Sequence, residues 1–210
     1  MAGPAETGGD GATRHIIGAH TLQIPDEYVS ASATGMFGST RSVSASNSLS
    51  IAARWPDMAP ANSPRSSTSA GVSRGDLLRI DIRSAETGAE PLQDTLDPVY
   101  RRLAIAQDMP GPAGLKILSL PVTGANEIDE IVYEAGQRDG FAARCKRESS
   151  VDSLICERDM ILHDTLMVTY RFERPLLASW GRLDRRVQDL VLSYMSRKTG
   201  QLNDTVGLDS

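Results

Sequence analysis

Cys145 and Cys156 are the only cysteines in 210 residues, and they lie in two short strand-like runs on either side of a polar turn. That placement points to oxidative pairing. If the two face each other in an antiparallel hairpin, every other partner is fixed by the constant index sum 145 + 156 = 301. Arg144 then faces Glu157 as an opposite-charge pair and Phe141 faces Met160 as an apolar one, with the turn near Ser149 to Asp152. Phe141 and Met160 share the cysteine face, and Arg144 and Glu157 take the other. A bridge implies an oxidising compartment, and two reduced thiols in a cytosolic sheet are the alternative. The spacing does not suit a C-x-x-C redox or zinc motif.

Gly71-Val72-Ser73-Arg74-Gly75 is a literal G-x-S-x-G. In a hydrolase such a serine leaves a strand on a tight turn and enters a helix, so that amides at the helix start stabilise an oxyanion. Here a Ser-rich loop precedes it and a strand-like run comes after. Asp152 or Asp159 and then His163 can be named as acid and base, but nothing in the sequence forces those choices, and a Ser/Gly loop is the preferred reading. His15, His20 and His163 show no metal-ligand spacing, so no metal site and no cofactor are expected. Glu127, Asp129 and Glu130 do not match a calcium loop and read as a solvated acidic segment.

The elements that must position these residues follow from periodicity. Strands are expected at 19–24, 49–55 and 77–83, the last alternating Leu78, Ile80 and Ile82 with Arg79 and Asp81. The Ser-rich run ending at Trp55 reads as a solvent-facing strand. Asp97-Pro98 looks like a helix start, with an N-cap carboxylate followed by a residue of fixed φ, and predicts a helix over 98–107. Met109-Pro110-Gly111-Pro112 is a stiff breaker. Beyond it, strands are expected at 115–120, 130–135, 140–147, 154–161 and 166–172. A helix over 176–197 would lay Leu177, Trp180, Leu183, Val187, Leu190, Val191 and Tyr194 across the sheet.

The fold class is therefore α+β, with antiparallel sheets each packed by a helix. It divides into two similar β-rich units, 15–109 and 113–197, the second holding the cysteine hairpin. Residues 1–14 and 198–210 read as a flexible segment and a flexible tail. The first fourteen residues have no basic and apolar regions of a signal peptide, and an export signal is expected to have been removed ahead of Met1. No apolar run approaches the roughly 18 residues of a membrane-spanning helix. A net charge of -5 argues against a nucleic-acid partner. The paired arginines Arg101-Arg102 and Arg185-Arg186 read as solvated helix faces.

Several strings carry a family likeness: IPDEY at 24–28, ARWPDM at 53–58, ICERD at 155–159 and MVTYRFERPLLASWGRLDRRVQDLV at 167–191. Together with the cysteine hairpin they resemble periplasmic immunity proteins of bacterial type VI secretion systems. The resemblance implies a non-enzymatic periplasmic protein that binds one cognate antibacterial effector, such as a lipase or a cell-wall enzyme, and occludes its active site. An inhibitor of that kind needs anchor residues on protruding loops. Met36 and Phe37 are isolated apolar residues in a Gly/Ser/Thr loop, and Asp26, Glu27 and Tyr28 form a polar and aromatic cluster after a strand; both sets are candidate partner-binding residues. A structural envelope protein, periplasmic or lipid-tethered, and a serine hydrolase using Ser73 are the alternatives.

Overall fold

The computed structural model describes residues 11–29, 48–61, 74–85, 91–121, 130–137, 140–148, 154–163 and 165–195. Two sheets are present among them. β1 (Ala12–Ile17) and β2 (His20–Pro25) form a hairpin. The second sheet has nine strands in the order β4-β3-β5-β11-β10-β9-β8-β7-β6, with every neighbour antiparallel. Its members are β3 (Ser48–Arg54), β4 (Ala59–Pro60), β5 (Leu77–Ser84), β6 (Met109–Pro110), β7 (Lys116–Ser119), β8 (Glu130–Tyr133), β9 (Ala142–Arg147), β10 (Leu154–Leu162) and β11 (Leu166–Glu173). The α+β class holds, and both strand-rich stretches of the sequence contribute to one sheet.

Period-2 alternation assigns the faces. Leu78, Ile80 and Ile82 of β5 are buried beside Leu166, Val168, Tyr170 and Phe172 of β11, with Leu49, Ile51 and Ala53 of β3 completing the surface. Onto this face fold the β1–β2 hairpin, through Ile17, Leu22 and Ile24, and helix α3 (Trp180–Tyr194), through Leu183, Val187 and Val191. β1 opens at Ala12, so residues 12–14, expected to belong to a flexible segment, are strand. Gly18 turns the hairpin at φ +56, where a Cβ would lie 2.6 Å from Ser84 Oγ. Only glycine meets both demands.

The other helical segment covers the opposite face at the far end of the sheet. It runs through α1 (Leu92–Thr95), a π-helical turn (Leu96–Tyr100) and α2 (Arg101–Leu103). Leu92 and Leu96 pack on Leu118, Leu120, Ile131, Tyr133 and Ala142 of the β7–β9 region. The 92–103 segment thus lies on strands from the second half of the chain, while α3 lies on a face to which both halves contribute. The helix starts earlier than Asp97: Pro91 precedes its first turn, and Pro98 falls mid-segment, where its missing N–H disrupts the α pattern and accompanies the π turn. Asp97 caps nothing and instead accepts Arg101 Nε–H at 2.5 Å.

The breaker Met109-Pro110-Gly111-Pro112 is also part of the sheet. Met109 and Pro110 pair with Ile117 and Lys116, and Gly111 N–H donates to Leu115 O at 2.8 Å. Proline is tolerated there because β6 is an edge strand. At the second helix, Pro175 sits in a 3-10 turn (Arg174–Ser179) that delays the α-helix to Trp180.

The cysteine hairpin has the expected register. Cys145 pairs with Cys156 and Arg144 with Glu157, and the cysteines form a disulfide with Cα atoms 4.0 Å apart. Phe141 and Met160 are both buried in the core shared with the cysteines, but the β9–β10 ladder ends at Arg144 and Glu157, before that pair.

Candidate functional site

Past the last β9–β10 pair, the opening between the strands is filled by Arg158. Its side chain is 5% exposed. The guanidinium reaches Asp184 of α3 (Nε to Oδ1, 3.4 Å), donates to Gln93 Oε1 of α1 at 2.9 Å and to Ala142 O at 3.5 Å, and lies 5.2 Å from the Phe141 ring centre. Asp184 also accepts the Tyr170 hydroxyl at 2.9 Å and Gln188 Nε2–H at 3.0 Å. Burial, with the Asp184 charge adding to it, pushes the Tyr170 phenol well above its ordinary range. The cluster joins the two helix-covered faces from within.

Among the described residues, two clefts at the surface bear on function. The first, about 560 Å³, lies between the 92–103 helix and the β8–β9 end and is lined by Asp94, Asp97, Arg101, Tyr133, Glu134 and Phe141, among others. Arg101 donates to Asp97 and Asp108 and to the Tyr133 hydroxyl, which itself donates to Asp108. These contacts hold the Arg101 guanidinium firmly protonated. Burial works to raise the Asp108 pKa, but hydrogen bonds from Tyr133 and Arg101 outweigh it and hold the carboxyl below its usual range. Burial and the bond to Asp108 raise Tyr133. The cation in this cleft is already neutralised, and Asp94 and Glu134 leave the cleft acidic. Val99, Leu103, Ile105 and Met109 are exposed along the same helix and the chain just beyond it.

The second cleft, about 490 Å³, lies along α3 and is lined by Asp57, Met58, Arg182, Arg185, Arg186, Asp189 and Leu190. Its fixed wall is the turn after β3. Met58 takes φ 59, a left-handed conformation unfavourable by roughly 1–2 kcal/mol for a residue with a Cβ. It is held there by Met58 N–H to Arg54 O at 2.7 Å and by the Tyr28 hydroxyl to Met58 O at 3.0 Å. Tyr28 in turn meets Tyr194 edge-on, ring centres 5.6 Å apart. The Arg182 guanidinium covers the Trp55 ring at 5.1 Å.

The sheet face opposite α3 carries polar rows across β3, β5, β11 and β10. Ser50, Asp81, Thr169 and Asp159 form one row, and Ala52, Arg79, Arg171 and Glu157 the next, continuing to Arg144 on β9. Ser50 donates to Asp81, Thr169 donates to Asp159 at 2.8 Å, and Arg144 pairs with Asp159 and Glu157. Charges on this face largely satisfy one another.

Of the candidate contact residues, Asp26 and Glu27 are exposed in a 3-10 turn, with Asp26 accepting Thr13 Oγ1–H at 2.5 Å. Tyr28 is half-buried against the second cleft. Met36, Phe37 and Ser73 lie outside the described residues. Immediately after Ser73, a 3-10 turn (Arg74–Asp76) leads straight into β5, so a strand stands where a hydrolase would have its helix. Asp159 is occupied by Arg144 and Thr169, and His163 sits at φ 49 in the β10–β11 turn. Glu130 is not a solvated acid: it pairs with Arg174 (Nε to Oε1, 2.5 Å) and ties β8 to the turn before α3. In the sequence Arg185 and Arg186 read as a solvated helix face and Arg182 was not singled out; the i, i+3, i+4 spacing of the three was the available signal for a shared face.

No family model matches the chain, and no curated protein matches it. A solved structure does. An immunity protein of the Stenotrophomonas maltophilia type IV secretion system superposes with a TM-score of 0.60 at 16% identity, covering 90% of this chain and 94% of that one. The likeness is one of fold, and it runs nearly the full length of both chains.

Proposed function

We propose that the protein is an immunity protein of a bacterial secretion system, binding a secreted antibacterial effector and blocking its active site. The observation that carries this reading is the near end-to-end fold likeness to an immunity protein. The sequence resemblance points to type VI systems and the structural neighbour comes from a type IV system; immunity is what the two share. The Cys145–Cys156 bridge adds an envelope or periplasmic address, since such a bond persists in oxidising compartments. The absence, among described residues, of a helix long and apolar enough to cross a membrane fits action outside the bilayer. A lipase or a cell-wall enzyme is the effector class proposed, and Asp26, Glu27, Tyr28, Met36 and Phe37 are proposed contacts.

The test is protection. A candidate effector sought among the genes flanking this one is expressed with a periplasmic signal in a susceptible host, with and without this protein sent to the same compartment. Restored growth and a stable complex on size exclusion are expected. Unrelieved arrest without complex formation would remove the immunity reading.

A further inference from the structure

We infer that the cleft along α3 is the effector-docking site and that it takes a carboxylate-bearing loop. This rests on the immunity reading and names the surface and the chemistry that reading leaves open. Arg101, Arg144, Arg158, Arg171 and Arg174 all pair with carboxylates within the protein. Arg182, Arg185 and Arg186 are different. They are exposed on one face of α3, at i, i+3 and i+4, and none has a carboxylate or hydrogen-bond acceptor among the described residues. Three guanidiniums without an ion-pair partner among the described residues share one cleft whose arginines outnumber its carboxylates, in a chain of net charge -5. Two carboxylates, Asp57 and Asp189, line the same cleft, and Asp57 Oδ1 already accepts Ala59 N–H at 3.2 Å.

Guanidinium forks bind carboxylates in a bidentate manner, and Arg, Trp and Tyr are the residue types that dominate binding energy at protein interfaces. Here Trp55 holds Arg182 in place, Met58 and Leu190 supply apolar lining, and the Tyr28–Tyr194 pair backs the Met58 turn. The wall is built before any partner arrives, so little ordering cost falls on association. The 92–103 cleft has the opposite sign and its arginine is spent on Asp97 and Asp108, so it does not suit the same ligand.

Calorimetric titration with the purified, catalytically inactivated effector against which the protein protects in that growth assay tests this, using the full disulfide-bonded chain. The double variant R185E/R186E is expected to lose roughly 30-fold or more in affinity. The wild-type complex is expected to weaken as salt is raised from 50 to 300 mM, with a shallower dependence in the variant. D94N/E134Q, in the other cleft, serves as control and should bind like wild type. Arg185, Arg186 and Asp94 are exposed and Glu134 is half-buried, and matching thermal unfolding curves verify folding. Wild-type-like binding by R185E/R186E overturns the docking site while leaving the immunity reading intact. No binding by the wild type fails the immunity reading, and the docking site falls with it. Binding of the wild type to phosphatidylglycerol vesicles that R185E/R186E abolishes, with effector affinity unchanged, assigns the cleft to a membrane surface and also overturns the proposal.

Discussion

Arg158 of β10 and Asp184 of α3 meet 3.4 Å apart, and the same guanidinium reaches Gln93 in the helix on the other side of the sheet. One side chain therefore contacts both helical segments through the opening between β9 and β10. Replacing Arg158 with Met leaves Asp184 largely buried with Tyr170 and Gln188 but no cation. A loss of about 3 kcal/mol is expected, since removing one partner of a buried pair strands the other charge. Urea unfolding followed by tryptophan fluorescence measures it; a loss below about 1 kcal/mol would show that water already screens the pair.

The disulfide closes a short loop in the unfolded chain. In the chain-entropy model it contributes about 3 kcal/mol, so dithiothreitol should shift the wild-type urea midpoint clearly downward. The C145S/C156S variant should already sit at the lower midpoint and ignore reductant. An unchanged wild-type midpoint, with reduction verified by thiol titration, contradicts this.

Tyr170 sets an alkaline limit. Burial, and next the Asp184 charge, raise its pKa in the folded state, while the unfolded phenol ionises near about 10. The folded state then holds a proton that the unfolded state has lost. Stability is full below about pH 10 and falls as pH climbs beyond it. Urea midpoints at pH 8 and pH 11 should fall less steeply in Tyr170→Phe than in wild type, with some slope remaining because burial also raises Tyr194 and Tyr133.

The Arg101 contacts separate exposed from buried partners. Asp97 is 80% exposed at its side chain, so Asp97→Ala should change stability by no more than about 0.5 kcal/mol despite the 2.5 Å contact. Tyr133→Phe removes the hydroxyl that donates to Asp108 and accepts from Arg101 and should cost about 1 kcal/mol. Equal effects from the two variants in chemical denaturation would refute that ordering.

The hairpin register was legible because two cysteines and one opposite-charge pair constrain the same index sum. The strands at 77–84 and 166–173 were legible because strict alternation survives when one face is buried and the other polar. β1 was hidden in a Gly/Ala-rich stretch, and β4 and β6 are two-residue edge strands containing proline, too short to carry a period. The start of the first helix was misplaced because Asp97-Pro98 has the chemistry of a cap, and local chemistry cannot reveal that Pro98 is accommodated by a π turn. Which face of the sheet each helix covers is a property of the assembled strands, invisible in any single window. For the second cleft, the arginines of α3 could be seen in the sequence, but the Trp55–Met58 turn that faces them is more than 120 residues away.

The placement of the helices on strands from both halves bears on inheritance. A recombination breakpoint at Gly111 would deliver the 92–103 helix without β7–β9, the strands it covers, and would leave α3 without β3 and β5. The 92–103 helix would lose the strands it covers and α3 part of its partner surface, so a gene for this protein can change partners by altering surface residues more readily than by exchanging halves.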